Sequence, residues 1–386
     1  MEVLMGECIY NELEQAAEKK IHSTNNGNTF QQQVDYAYNL KGWLTTINDP
    51  DSLGSGLFGM ELKYDDVSEI TGFDEHIRYN GNLAGVQWKN IQVATKKAYA
   101  FGYDGLNRLT DADYGEGTSS IADQPNKYNV YGITYDENGN IATLKRDGAS
   151  GCIDNLAYYY FPNTNRLSIV EESTGGDPGK GFVDVVLDDD DFEYDANGNM
   201  VRDENKGISL AYNQLGKISE AVHDATSGTY HLVYDAAGNL LARGNDHDGI
   251  FTHYIGGFVY TYSGSNYADL ECILTPEGRI TIPDGNCIYE YHLKDHQGNT
   301  RVAFDATAAG PVVKQATDYY PFGMLHEPVA LNNDNDYLYS GKEFFEENGI
   351  NLYNYGATLY GAQLGRWHTL DPRFFKAKQG IPCGNE

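Results

Sequence analysis

Short stretches in which apolar residues recur at every second position, each ended by a turn signal, run through most of the chain. Ile133 and Tyr135 stand two residues apart before one such signal, and Leu232 and Tyr234 do so before another. This spacing is typical of a half-buried β-strand, in which alternate side chains face the same side. The pattern therefore predicts many short strands joined by tight turns.

The turn signal is nearly the same each time and reads Tyr-Asp-x-x-Gly-Asn. Its three clear copies are Tyr135, Asp136, Gly139, Asn140; Tyr194, Asp195, Gly198, Asn199; and Tyr234, Asp235, Gly238, Asn239. An apolar residue follows each copy: Ile141, Met200 or Leu240. A short unit that recurs along a chain indicates a recurring piece of structure.

Looser copies surround the clear ones. They begin at Tyr10-Asn11, Tyr38-Asn39, Tyr103-Asp104 and Tyr212-Asn213, while Asp295, Gly298 and Asn299 keep the second half of the unit without its tyrosine. Residues 11–20 have helical propensity, but they occupy the position of a repeat unit. We therefore expect a strand hairpin there.

Each repeat unit is best explained as a β-hairpin. The glycine supplies the positive φ that a tight turn needs, and the aspartate accepts hydrogen bonds from the amides of the turn. The tyrosine ring packs on the sheet while its hydroxyl reaches water or backbone. Hairpins stacked edge to edge predict a continuous antiparallel sheet.

Composition and charge narrow the function. The 386 residues include 31 Tyr and 43 Gly, and no long amphipathic helix is evident, which favours β structure with many turns. The formal net charge of −29 argues against nucleic acid as a partner, because phosphate binding needs clustered Lys and Arg. No stretch approaches the roughly 18 apolar residues of a membrane span, and the N-terminus shows no secretory signal. Because the chain starts inside a repeat, we expect it to be a piece of something longer.

Acidic clusters raise the question of a metal. The run Asp188–Asp191 is explained best as a solvated loop tip, with a calcium site as the alternative. Asp136, Asn138 and Asn140 imitate the first ligands of a calcium loop, but the glycine comes too early and no glutamate follows at the twelfth position. We expect no metal and no cofactor.

The five cysteines do not form a zinc motif. They are Cys8, Cys152, Cys272, Cys287 and Cys383, and none belongs to a Cys-x-x-Cys pair. Cys272 and Cys287 are candidates for a cross-strand disulfide, but buried free thiols are the favoured interpretation for the set.

The patterns divide the chain into four regions. Residues 1–110 carry degenerate repeats with an insertion at about 51–97, and residues 111–330 carry the best repeats. Residues 337–372 form a terminal block dense in Tyr and Gly, and residues 373–386 form a frayed tail. Since no linker separates these regions, we expect one continuous β assembly.

The terminal block carries a recognisable set of motifs. They are Tyr339-Ser340-Gly341-Lys342-Glu343, Gly349-Ile350-Asn351 with Tyr353, Tyr355-Gly356-Ala357-Thr358-Leu359-Tyr360, Gly365-Arg366-Trp367 and Asp371-Pro372. These motifs resemble the RHS repeat-associated core domain, and the upstream units resemble the YD repeats of RHS proteins. The Tyr-Pro-Phe-Gly of residues 320–323 and the segment 295–301 are similar to further parts of that family, in its Bacteroidota form.

The resemblance implies a fold and a function. In the RHS family a spiral of β-hairpins closes into a hollow shell around a variable C-terminal toxin. The core domain plugs one end and cuts the chain behind itself as an intramolecular aspartyl protease. The setting is competition between bacteria, with the protein secreted or on the cell surface. The residues that would shape the core are Gly356, Tyr360, Gly365, Arg366, Trp367 and Pro372.

The chain departs from the protease pattern of the family. Asp371 corresponds to the first catalytic aspartate, but the downstream segment with the second one is missing from this sequence. Thr358 stands where the family has arginine, and Leu359 stands where it has tyrosine. Because an aspartyl protease needs two carboxylates with separated pKa values, we expect Asp371 to be an inactive remnant. Asp318 and Asp336 are the alternatives for a second carboxylate.

Two core residues have specific expected environments. We expect Arg366 to form an ion pair with a local carboxylate, with turn carbonyls as alternative partners for its planar guanidinium. We expect Trp367 to pack into the plug.

Three functions follow as hypotheses. The leading one is a structural segment of an RHS-type shell that lacks cargo, paired with an N-terminal remainder of the shell or with itself through exposed sheet edges. The second is a surface or secreted carbohydrate-binding protein, because exposed Tyr and Trp rings stack on sugars. The third is a residual aspartyl protease; no Gly-x-Ser-x-Gly elbow is present, and Cys383 has no nearby histidine.

Overall fold

The structure, a computed structural model, describes residues 2–67, 70–71, 79–174, 181–185, 190–263, 269–326, 335–356 and 358–368. The described residues contain 31 β-strands and three short 3₁₀ segments, and no α-helix occurs among them. The chain divides into two compact units: residues 1–155 with 275–341, and residues 156–274 with 342–386. The all-β fold expected from the strand pattern is confirmed.

The strands follow one another with short connections. The first segment of the first unit contains β1 (Leu4–Tyr10), β2 (Ala16–Ser23), β3 (Gln32–Tyr38), β4 (Leu44–Ile47), β5 (Phe58–Lys63), β6 (Ile70–Thr71), β7 (Gly85–Asn90), β8 (Lys96–Tyr103), β9 (Leu109–Gly117), β10 (Ile121–Asp123), β11 (Val130–Tyr135), β12 (Ile141–Gly148) and the beginning of β13 (Gly151–Tyr160). The second unit continues with β14 (Leu167–Glu172), β15 (Phe192–Tyr194), β16 (Met200–Asp203), β17 (Ile208–Tyr212), β18 (Ile218–His223), β19 (Tyr230–Tyr234), β20 (Leu240–Asn245), β21 (Ile250–Ile255), β22 (Phe258–Ser263) and β23 (Asp269–Thr275).

The chain then returns to the first unit and finally to the second. The returning strands of the first unit are β24 (Gly278–Thr281), β25 (Ile288–Lys294), β26 (Thr300–Thr307) and β27 (Gly310–Ala316). The terminal block of the second unit contains β28 (Glu343–Phe345), β29 (Leu352–Asn354), β30 (Leu359–Gly361) and β31 (Arg366–Trp367). The 3₁₀ segments are Pro283–Gly285, Tyr339–Gly341 and Glu347–Gly349.

Strand pairing is antiparallel between sequence neighbours almost throughout, as in β17 with β18 and β19 with β20. One described pair is parallel: β10 runs beside β6 with Ile121 opposite Ile70. Sequential antiparallel pairing is the arrangement that a run of tight hairpins produces.

The repeated motif forms the same turn in every copy. In the first, Asp136 Oδ1 accepts hydrogen bonds from the backbone N–H of Asn138 and Asn140 at 2.9 and 2.8 Å, and Oδ2 accepts one from the Asn140 side chain at 2.8 Å. Asp195 and Asp235 repeat this pattern. The central glycine, Gly139 in the first copy, has φ of 86°, which a residue with a Cβ adopts only at a cost.

The motif tyrosine ties neighbouring hairpins together. Its hydroxyl donates to a backbone carbonyl on an adjacent strand: Tyr135 to Leu109 at 2.7 Å and Tyr212 to Met200 at 2.6 Å. The looser copy at Tyr38 does the same with Ala16 at 2.9 Å. The expectation that the hydroxyl reaches backbone is confirmed for these tyrosines, so one side chain both packs on the sheet and links two repeats.

The segment with helical propensity is a hairpin. β1 ends at Tyr10, residues 11–15 turn, and β2 begins at Ala16. Asn11 Oδ1 accepts hydrogen bonds from the backbone of Leu13 and Gln15, as the motif aspartate does elsewhere. Turn chemistry and strand pairing outweigh the local preference of residues 16–20 for a helix.

Two expectations about buried groups are wrong. Asp191 is fully buried rather than part of a solvated loop tip, and its Oδ2 accepts a hydrogen bond from the backbone N–H of Val170 at 2.6 Å. Asp190 is exposed as expected, and Asp188 and Asp189 lie outside the described residues. Cys8, Cys152 and Cys287 are exposed free thiols, while Cys272 is buried; Cys383 lies outside the described residues.

Candidate functional site

The terminal block packs directly on the repeat sheet of the second unit. Its apolar side chains Phe345, Ile350, Leu352 and Leu359 join one cluster with Ile208, Leu210, Ile218, Ala221, Tyr230 and Leu232. Five of these six sheet residues and all four block residues are less than 6% exposed. Hydrophobic burial on this scale makes the block part of the core of the unit rather than an appendage.

A buried arginine links the sheet to the block. Arg243 on β20 contacts the carboxylates of Glu343, at 3.1 Å, and Glu347. The hydroxyls of Tyr254 and Tyr230 complete the network, the first donating to Glu343 at 2.5 Å and the second accepting from Arg243 at 2.8 Å. Burial raises the pKa of the Glu343 carboxyl, and the charge of Arg243 opposes that rise.

Two lysines of the repeat sheet bind carbonyl oxygens of the block. Lys206 Nζ donates to the carbonyl of Ile350 at 2.9 Å, and Lys217 Nζ donates to the carbonyl of Gly356. Burial lowers the pKa of Lys206, while the nearby Asp203 carboxylate opposes this effect. With Arg243, three basic residues of this strongly acidic chain therefore lie where the terminal block contacts the repeat sheet.

Arg366 attaches the end of the block to the β13–β14 hairpin. Its guanidinium donates to the hydroxyl of Tyr160 and to the carbonyl of Asn165, both at 2.8 Å. The expectation that Arg366 forms an ion pair is therefore wrong, because no carboxylate among the described residues contacts its guanidinium. A planar group with several donors satisfies a hydroxyl and a turn carbonyl together, so no acid is required.

The aromatic end of the block is only partly covered. The Trp367 ring contacts Tyr355 and Tyr360, with centroids 4.9 Å from each. Tyr360 is buried, but Trp367 is 49% exposed. The expectation that Trp367 packs into the plug is therefore wrong, because about half of this side chain remains accessible to solvent. The indole stands on β31, the last described strand.

His368 follows Trp367 and is buried. Its backbone N–H donates to the carbonyl of Leu359 at 3.1 Å, while its Nδ1 has no hydrogen-bond partner among the residues that the structure describes. Burial lowers the pKa of His368 to about 3, with the charges of Lys206 and Arg366 acting in the same direction. The imidazole is therefore neutral at physiological pH.

The remaining core motif positions have structural environments. Gly356 and Gly365 have φ of 80° and 66°, which glycine adopts readily. Leu359 belongs to the apolar cluster. Thr358 directly precedes β30, which begins at Leu359. Asp371 and Pro372 lie outside the described residues.

Asp318, one alternative for a second catalytic carboxylate, is already occupied within the first unit. It accepts hydrogen bonds from Trp88 Nε1 at 2.7 Å, Lys97 Nζ at 2.6 Å and Arg301 at 2.5 Å. Burial alone would raise its pKa, but the charges of Arg301 and Lys97 hold that pKa well below the ordinary range. Both oxygens of this carboxylate already accept hydrogen bonds from other side chains, whereas the two carboxylates of a protease pair share a proton with each other.

Within the described parts of the chain, no group of three or more His, Cys, Asp or Glu side chains is arranged to hold a metal ion. Both carboxylate oxygens of Asp136 are engaged in the turn, so its likeness to a calcium loop has a local explanation. Of the described segments, none is a helix long and apolar enough to cross a membrane.

Sequence reasoning identified the turns but missed the residues that hold the terminal block. Glu343 ends the motif of residues 339–343, but that motif gives no sign of its partner. Arg243 and Lys206 carry no motif that distinguishes them from surface charges. Their only sequence signal is the scarcity of basic residues, 27 Lys and Arg against 56 Asp and Glu.

Comparison with known proteins places the fold. No protein-family model matches the chain. Salivary gland surface protein 1 of Aedes aegypti is 28% identical over 235 residues, which is 55% of this chain and 6% of that protein.

Solved structures match almost the whole chain. They include the TcdB2-TccC3 crystal structure (TM-score 0.57, 16% identity, 95% of this chain and 20% of that one) and a Photorhabdus luminescens Tc holotoxin pore (TM-score 0.55, 15% identity, 95% and 19%). The chain therefore spans about a fifth of the length of these toxin-complex chains and shares the fold of that part of them.

Proposed function

We propose that this chain is a wall segment of an RHS-type toxin-delivery shell, with the terminal block serving as its core domain. The observation that carries the proposal is the attachment of that block to the repeat sheet. An apolar cluster and three buried or half-buried basic side chains, Lys206, Lys217 and Arg243, hold the block in place. The likeness in fold to the toxin-complex chains supports the same role.

A wall segment needs neighbours, and the first strand offers an edge for one. β1 pairs with β2 on one side and has no strand partner on the other side among the described residues. Leu4, Ile9 and Tyr10 on this strand are exposed. Unpaired edges attract further strands, so the partner that fits is another segment of YD-repeat sheet, from the rest of a shell or from a second copy.

Light scattering on the purified chain tests this role. We expect self-association that Ile9→Lys reduces, because a lysine on an edge strand disfavours strand addition. Leu13→Lys is the matched control, since Leu13 is more exposed but lies in the turn after β1. A monodisperse monomer with cooperative unfolding would count against the wall-segment role.

We further propose that the chain does not cleave itself. Asp318 is neutralised by Lys97 and Arg301, and Thr358 replaces the arginine of the family pattern. The residual-protease hypothesis would need a second free carboxylate beside Asp371. An unchanged chain mass on storage supports the proposal, and a discrete cut after the terminal block would refute it.

A further inference from the structure

The first unit contains a cavity of about 220 Å³ with an apolar wall built by β7 and β8. Trp88 and Tyr99 on this wall are 1% and 3% exposed. The opposite wall consists of the turn after β25, Arg301 on β26 and residues 319–321. Because an apolar cavity of roughly 150 Å³ already holds a benzene molecule, this cavity has room for a single substituted ring.

Aromatic rings line both walls of the cavity. Tyr99, Phe101 and Tyr103 stand at alternate positions of β8 and therefore face the same side of the sheet. The Tyr99 ring stacks on Phe101 with centroids 6.0 Å apart, and the Trp88 ring lies 5.7 Å from Tyr99. The rings at 319 and 320 line the other wall. Such a lining favours a flat ring, which stacks on or packs edge-on against the rings around it.

The polar ends of these aromatic side chains are already used. The indole N–H of Trp88 donates to Asp318 at 2.7 Å. The tyrosine hydroxyls donate to backbone carbonyls: Tyr99 to Tyr128 at 2.7 Å, Tyr103 to Leu83 at 2.9 Å, Tyr319 to Thr300 at 2.8 Å and Tyr320 to Asp147 at 2.6 Å. The walls therefore offer ring surface, and a ligand with several hydroxyl groups would leave most of them unpaired at a cost in free energy.

Arg301 supplies a donor to the cavity. Its Nη2 donates to Asp318 at 2.5 Å, and its Nη1 lies 3.6 Å from Asp295 Oδ2. Its Nε is buried and has no hydrogen-bond partner among the described residues. Because a buried donor without a partner is unfavourable, an acceptor on a ligand would be bound there.

The charges around this arginine balance one another. Lys97 Nζ lies 2.6 Å from Asp318, so the two cations Arg301 and Lys97 stand beside two carboxylates, those of Asp318 and Asp295. A charged ligand would lose its hydration without a counter-charge to replace it, whereas a neutral ligand does not bear this cost. The surroundings therefore favour a neutral ligand.

We propose that this cavity binds a neutral, planar aromatic compound whose single polar group is a hydrogen-bond acceptor, such as an aromatic ketone. The ring packs against the aromatic walls, and the carbonyl oxygen accepts a hydrogen bond from Arg301 Nε. The exposed side chains of His296 and Gln297 mark the rim, through which the compound enters from solvent. The cavity lies wholly within the first unit, so the proposal does not rest on the wall-segment role.

Ligand-observed NMR on the whole chain tests the proposal with acetophenone as the probe. Three comparison compounds each change one feature: ethylbenzene lacks the acceptor, cyclohexyl methyl ketone lacks the planar ring, and benzoate carries a charge. We expect acetophenone to bind. Each comparison compound should bind about fivefold more weakly or worse, which is the effect of one lost hydrogen bond or one lost ring contact.

Leu109→Trp blocks the cavity. Leu109 lines it opposite Tyr103 and is only partly buried, so a larger side chain can extend into the space. We expect this variant to lose acetophenone binding while its circular dichroism spectrum is retained. Leu106→Trp is the matched control, because Leu106 is 73% exposed in the turn before β9, and it should bind acetophenone as the parent does.

Phe101→Leu is a second and milder variant, which removes one ring from the wall and should weaken acetophenone binding about fivefold. Absence of acetophenone binding to the parent chain at about 5 mM would overturn the proposal. Equal affinity for any of the three comparison compounds would overturn it as well. So would binding that is unchanged in both Leu109→Trp and Phe101→Leu, because the ligand would then lie elsewhere.

Discussion

Arg243 and Glu343 form a buried ion pair between residues 100 positions apart, with 3.1 Å between nitrogen and oxygen. Both side chains are about one-tenth exposed or less, and the hydroxyl of Tyr254 donates to the same carboxylate. The pair joins β20 of the repeat sheet to β28 of the terminal block. This ion pair therefore attaches the terminal block to the sheet on which the block lies.

Arg243→Met is expected to destabilise the protein by about 3–5 kcal/mol, because it leaves the Glu343 carboxylate buried without its cation. Glu343→Gln in the same chain should recover part of this loss. Loss of the Arg243 charge raises the pKa of Glu343 further. A carboxyl with a raised pKa in the folded state loses its contribution to stability as the pH rises through that pKa. The destabilisation by Arg243→Met should therefore be larger at about pH 8 than at about pH 5. Urea unfolding at the two pH values measures it.

Arg202→Gln is the control for that variant. Arg202 contacts Glu204 and Asp224 at the surface, and the Asp224 side chain is 60% exposed. Exposed ion pairs contribute about 1 kcal/mol or less. A loss at Arg243 no larger than that at Arg202 would contradict the anchoring role.

Asp191→Asn is expected to stabilise the protein at neutral pH. Burial and the nearby Asp184 and Asp203 raise the pKa of Asp191 to about 6, although the Val170 amide opposes the rise. A raised pKa favours folding below the ordinary value of 3.8, and this advantage is lost as pH rises through 6. The gain from asparagine should therefore grow between these values and reach roughly 2–3 kcal/mol above them.

Thermal unfolding from about pH 4 to pH 8 follows this gain across the range in which the carboxyl titrates. Asp190→Asn, at the exposed neighbouring position, is the matched control and should show no such dependence. A gain that is the same at every pH would show that Asp191 does not titrate as described.

Tyr212→Phe is expected to cost about 1 kcal/mol, because it removes the hydrogen bond to the Met200 carbonyl between neighbouring hairpins. The denaturation midpoint should fall while the slope stays constant. Tyr10→Phe, at a 62% exposed site, should have an effect within about 0.5 kcal/mol. Equal effects at the two sites would mean that the motif hydroxyl does not link the repeats.

Asp371→Asn is expected to leave the pattern of chain fragments unchanged, because we propose that the parent chain does not cut itself. Intact-mass spectrometry over several days compares the two proteins. A fragment that ends near residue 372 in the parent and is missing in the variant would restore the protease hypothesis.

The repeat turns could be predicted from sequence because their interactions are local. Asp235 and Asn239 are four residues apart, and their hydrogen bonds close the turn wherever the motif occurs. The period-two spacing around it then gives the strands. The same reasoning placed a hairpin at residues 11–20, against helical propensity.

The partners of distant residues could not be predicted. Nothing near Arg243 in sequence indicates Glu343, and the partners of Asp318 include Trp88, which is 230 residues away. Asp191 was expected in solvent because four adjacent carboxylates usually are, yet its neighbours in space bury it. Trp367 was expected in the plug because of its motif, but its exposure depends on which strands surround it.

Electron cryo-microscopy of the protein isolated from its natural source tests the central claim most directly. The account predicts that these 386 residues form part of a curved wall, with β1 continued by a further strand and the terminal block on the enclosed side. A separate compact domain, with solvent on both faces and β1 unpaired, would contradict it.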